Sequence, residues 1–159
     1  MENLKRVKQT PRAAIRTALA AIFLAATAIY LPAQKGFDDR LEFDEIQTLL
    51  TQGIDSQDIY LQALGWYKWG LYREYQTENR DSAFQYLARS VDLFLTAKDT
   101  VAYHRARAEL ASRLPERGEA DDALRMQEEA RDYFKKTNNR SLEILVLAQM
   151  SRVYQAKGD

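Results

Sequence analysis

Apolar positions recur at steps of three and four along most of this chain, and no run of alternating β-branched residues suggests a sheet. From Ala120 to Phe134 the apolar or small positions are Ala120, Ala123, Met126, Ala130, Tyr133 and Phe134, while Glu128, Glu129, Arg131 and Asp132 fall largely outside them. That spacing draws one stripe down one helical face. Tyr103, Leu110, Ala111 and Leu114 form a second face, and Arg105 and Arg113 lie away from it. Between the two sits Leu114-Pro115-Glu116-Arg117-Gly118. Pro115 disfavours helical geometry at Leu114, and Gly118 tolerates positive φ. Asp121 and Asp122 suit the positive end of the helix that follows. Residues 104–137 therefore read as two antiparallel helices around a tight turn. Ala111, Ala123 and Ala130 let them approach closely, with Leu110 and Phe134 filling the space beside.

The same reading extends both ways. A lone amphipathic helix is expected near Asp38 to Gln52, with Phe43, Ile46, Leu49 and Leu50 on its apolar face. Gly53 can end it in the left-handed conformation. Asp55 or Ser56 then caps the next helix. With Asp55 as the cap, Ile54 and Ile59 can close as a hydrophobic staple. Trp66, Tyr67, Trp69, Tyr72 and Tyr75 crowd the helix after it. At the other end, Leu142, Leu145, Val146, Met150, Val153 and Tyr154 make a strongly apolar segment that runs into Lys157-Gly158-Asp159.

A shift of 40 superposes these patterns. Ala83 answers Ala123, Ser90 answers Ala130, and Asp92 and Phe94 answer Asp132 and Phe134. Ala111 answers Ser151, Leu114 answers Tyr154, and Gly118 answers Gly158. A fixed period in the range of about 20–50 residues is the mark of a solenoid array.

Leu110-Ala111, Leu114, Gly118, Ala123, Gln127 and Ala130 follow the order of a tetratricopeptide repeat, which the unit resembles; Gln127 stands where that family usually has a large apolar residue. An earlier copy matches through Trp66, Trp69-Gly70, Ala83, Leu87 and Ser90, with one extra residue in its turn, where Glu78-Asn79 replaces glycine. A later one matches through Leu147, Met150-Ser151, Tyr154 and Gly158. The period exceeds the family's usual 34, as in its long-helix variants. The resemblance covers roughly residues 57–159 and implies an all-α fold, a right-handed stack of antiparallel helix hairpins. Repeats would occupy about 57–98, 99–137 and 138–159, the last incomplete, with 34–56 as capping helix and linker. It also implies a concave groove lined by the first helix of each unit. Groove positions would be Tyr67, Lys68 and Leu71, then Arg105, Ala108, Glu109 and Ser112, then Ala148, Gln149 and Arg152. Ala108 and Ser112 stand where family members that grip a peptide carboxylate carry Lys and Asn, which argues against that clamp. The mixed groove suits an extended peptide or another helix. Trp66, Trp69 and Gly70 fall at core positions, and the open apolar end suits a fragment of a longer protein, or cover by a partner or a second copy.

The N-terminus carries a different signal. Lys5, Arg6, Lys8, Arg12 and Arg16 precede an uncharged run from Thr17 to Gln34, whose core from Ala18 to Leu31 is apolar except for Thr27 and Tyr30. One reading is a secretory signal peptide over 1–33, with Ala33 at the cleavage position. Another is a single spanning helix with its basic flank in the cytoplasm, and a third is a buried soluble helix. The first two place the rest of the chain beyond the membrane: exported across, or anchored in, a bacterial inner membrane, with its bulk periplasmic. Such a signal before long helical repeats resembles the sensing part of bacterial histidine kinases and transcription regulators, or a membrane-anchored assembly factor.

Composition narrows the function further. Residues 1–16 hold five basic side chains and one acid, leaving 18 basic and 22 acidic in 34–159. A mildly acidic folded part argues against nucleic acid as partner. With no cysteine, disulfides, thiolate metal sites and a lipid-modified N-terminal cysteine are excluded. His104 is the sole histidine; it reads as a solvated surface residue without ligand partners at metal spacing. Asp121-Asp122 and Glu128-Glu129 are adjacent in sequence and do not face each other on a helix. Neither a nucleophile turn, a phosphate loop nor a dinucleotide fingerprint occurs. The expectation is a non-enzyme without cofactor or metal that binds a protein or peptide. A small-ligand sensor using Trp66 and Trp69 is the remaining alternative.

Overall fold

Six α-helices and one 3-10 turn account for nearly all of the computed structural model, which describes residues 42–77 and 79–158. They are α1 (Phe43–Asp55), α2 (Ile59–Thr77), α3 (Arg80–Thr96), α4 (Thr100–Ala111), the turn Leu114–Arg117, α5 (Ala120–Lys136) and α6 (Arg140–Lys157). The all-α expectation holds, and no strand occurs among the described residues. Each helix packs on the next in sequence, and α4 also packs on α6, two helices further on.

The helix boundaries have local causes that recur. Asp58, Asn79, Asp99 and Asn139 precede α2, α3, α4 and α6, and each side chain accepts a hydrogen bond from the backbone N–H three residues on, at 2.9–3.4 Å. Gln57, Lys98 and Asn138, each one residue before such a cap, have positive φ of 56°, 59° and 55°. After α3 and α5, the N–H of Asp99 and Asn139 donates to the carbonyls of Phe94 and Phe134, at 3.2 and 2.8 Å. This closes both helices with the same left-handed motif. Gly118 and Gly158 repeat at the same interval, with φ of 81° and 86°. Caps at 99 and 139 and at 79 and 119 lie 40 apart; 58 and 99 lie 41 apart, which places the extra residue between 58 and 79. Position 119 is the exception: Glu119 makes no side-chain cap.

Small residues set the helix separations. Ala111, Ala123 and Ala130 are fully buried, as are Ala83 and Ser90 at the equivalent positions of the preceding hairpin, and Phe94 and Phe134 fill the space beside them. Ala108, Ala130, Phe134, Val146 and Met150 form one core cluster; Ala111, Leu114, Ala123, Leu124 and Val153 form another.

The N-terminal boundary differs from the sequence reading. Helix α1 runs through Gly53 to Asp55, because Gly53 supplies close approach and not a left-handed turn. A Cβ there would lie 2.6 Å from the Gln62 amide nitrogen of α2. The left-handed role falls to Gln57 and the cap to Asp58, replacing Asp55 or Ser56. With the cap at Asp58 the staple positions pass from Ile54 and Ile59, both exposed, to Gln57 and Gln62, which are polar. Phe43 still packs on α2, its ring 5.4 Å from Trp69 and 5.8 Å from Tyr72. The segment 1–33 and the run 17–34 lie outside the described residues.

Candidate functional site

Helices α2, α4 and α6, with Ser112 directly after α4, carry the ten expected groove positions. Lys68, Glu109 and Gln149 are repeat-equivalent, as are Leu71, Ser112 and Arg152. Tyr67, Lys68, Ala108 and Gln149 are buried; Leu71, Arg105, Glu109 and Ser112 are half-buried; Ala148 and Arg152 are exposed. Four of the ten are therefore closed to solvent and belong to the packing between helices.

Three of the buried members, Tyr67, Lys68 and Gln149, are held by polar contacts, and Ala108 sits in the apolar core. Lys68, 1 % exposed, places its Nζ 3.3 Å from Glu45 Oε1 of α1. Gln149 Nε2 donates to Glu109 Oε2 at 2.6 Å, bridging α6 to α4 at positions 40 apart. Tyr67 is buried with Arg105 as a hydrogen-bond partner. Burial and the charge of Glu109 push its phenol well above the ordinary value, against the opposing effect of Arg105. Tyr60, also near Arg105, is pushed up to about 12 by burial and by Asp99.

The centre of the arrangement is a residue assigned only to the polar side by the sequence pattern. Arg113, just beyond α4, donates through Nε to Glu74 Oε2 of α2 at 3.0 Å, and through its other nitrogens to Glu74 and Glu109. Burial disfavours its charge. The two carboxylates outweigh that and hold the guanidinium above its ordinary pKa. Glu74, Arg113, Glu109 and Gln149 thus form one polar chain across α2, α4 and α6. The i,i+4 spacing of Glu109 and Arg113 was a usable signal for it; Glu74 had none in the local pattern. In front lies a cleft of about 200 Å³, lined among others by Glu74, Tyr75, Glu109, Ser112, Arg113 and Arg152. Tyr75, Glu116, Arg152 and Ala156 are its exposed rim.

Behind α4, Gln127 is fully buried at the position where a large apolar residue was expected. Its Nε2 donates to Ser112 Oγ at 3.1 Å, and its Oε1 has no hydrogen-bond partner. His104 corrects the sequence reading. It is half-buried, its ring stacked 4.3 Å from Tyr133 and edge-on to Phe134. Trp66 and Trp69 are half-buried too. Trp66 stacks on Tyr86 at 5.2 Å beneath Arg89, and Trp69 stacks on Tyr72. Among the described residues no group of three His, Asp or Glu side chains comes together to hold a metal. Set beside known protein families, curated proteins and solved structures, the chain matches none of them.

Proposed function

We propose that this chain is a non-catalytic protein–protein interaction module, a short right-handed stack of tetratricopeptide-like hairpins that receives a peptide or a helix against α2, α4 and α6. The observation that carries this is the recurrence of cap and left-handed residue at 57–58, 98–99 and 138–139. Repetition of the turn makes successive hairpins equivalent, and equivalent positions then meet across the inner helices, as Glu109 and Gln149 do. The polar chain behind the cleft uses its charges internally and Glu116 on the rim pairs with Arg80, so Tyr75 and Arg152 are the rim groups offered to a partner. An aromatic ring and an arginine are the side chains most used at binding hot spots. The run 17–34 makes the module exported or membrane-tethered, in the manner of a bacterial periplasmic sensing domain or an anchored assembly factor.

Photo-crosslinking residues placed at Tyr75 and at Arg152, with Asp92 on α3 as control, test the binding face in a bacterial host. Discrete adducts at the first two and not at Asp92 are expected. Identical bands at all three, or none, sink the reading.

A further inference from the structure

Steps of three and four place Ile144, Leu147, Ala148, Ser151, Tyr154 and Gln155 on one face of α6. None is charged, and Ile144, Leu147 and Tyr154 are 55 %, 44 % and 38 % exposed. A groove of about 560 Å³ runs along this face, bordered by Arg131 of α5. Forty residues earlier, the equivalent face of α4 is covered. His104 lies under Tyr133, Arg107 pairs with Glu129, and Ala111 and Leu114 cluster with Ala123 and Leu124, all on α5. The cover runs antiparallel, with an aromatic ring at the level of 104 and a small residue near 111.

We propose that a second copy of this chain supplies that cover, α6 against α6, antiparallel about a two-fold axis near Gln149. In that register Ile144 meets the partner's Tyr154, as His104 meets Tyr133. Leu147 meets the partner's Ser151, large against small, as in the hairpins within the chain. Every pairing is made twice, which a two-fold interface requires. The uncharged strip offers no like-charge contact to its own copy. The inference rests on the repeat reading above only through the α4 comparison.

The chain has no cysteine, so single substitutions report cleanly. A disulfide needs Cα atoms within about 7 Å, and full-length Ala148→Cys mixed with Ser151→Cys is expected to cross-link at least about tenfold faster than Asp92→Cys. Adding Leu147→Glu to both partners should abolish the cross-link without loss of helical circular dichroism. The proposal is overturned by equal cross-linking at Asp92, by cross-linking that survives Leu147→Glu, or by sedimentation as a monomer. A monomer that still gives groove adducts at Tyr75 and Arg152 rejects the second copy and leaves the binding face standing.

Discussion

Arg113 holds two carboxylates on two helices at once, so removing it strands both. Arg113→Ala is expected to cost about 3 kcal/mol of stability, read from urea unfolding, because breaking a buried pair leaves uncompensated charge. Replacing all three charges together, as Glu74→Gln, Glu109→Gln and Arg113→Met, should recover most of that loss. Gln127→Leu is expected to stabilise by about 1 kcal/mol in the same assay, because its buried oxygen is unsatisfied. His104 adds a pH dependence. Burial, then Arg107, hold its pKa below the ordinary 6.5, against Glu129. Unfolding restores the ordinary value, so the unfolded chain binds the proton more tightly. Stability therefore falls as pH drops through about 6.5, and the loss levels off below the depressed folded value. The melting temperature of His104→Phe, followed from about pH 8 to about pH 5, should lack this step.

Between elements, the close approach of α2 and α3 depends on Gly70. A Cβ there would lie 2.8 Å from Leu87 Cγ and 3.1 Å from the Ala83 carbonyl oxygen. Leu87 is fully buried and the carbonyl is backbone, so the helices must part. Gly70→Ala is expected to cost about 1–3 kcal/mol in thermal unfolding. Gly118→Ala meets nothing within 4 Å, and its cost is the backbone strain alone, about 1 kcal/mol. This contrast marks what the sequence could convey. The helices from Thr100 onward, the small contact residues and the turn at Pro115–Gly118 were legible, because periodicity and turn chemistry are local. Gly53 was misread because a glycine that ends a helix and one that admits a neighbour are identical in sequence. Of the ten candidate positions, six keep some exposure; the burial of Tyr67, Lys68 and Gln149 depends on partners such as Glu45 and Glu109 on other helices. Glu74 became visible only when the fold brought it to Arg113, 39 residues away.

At the scale of the whole molecule, charge is divided: the first 16 residues are basic and the part after residue 34 is acidic. Intact mass of the full chain expressed in a bacterial host follows from that division. A soluble species beginning at Gln34 is the expected product, and a full-length species confined to the membrane fraction would instead make 17–33 an anchor. The repeated turns carry a consequence of another kind. Residues 99–138 begin at a capped helix start and end at the left-handed residue that precedes the next cap, Asn139. This stretch is a self-contained cassette: a tandem duplication would join Asn138 to Asp99, and both junctions would keep the turn already present. Such a duplicate should fold with one added hairpin and a correspondingly higher helical signal, so the length of this protein is open to change by copying alone.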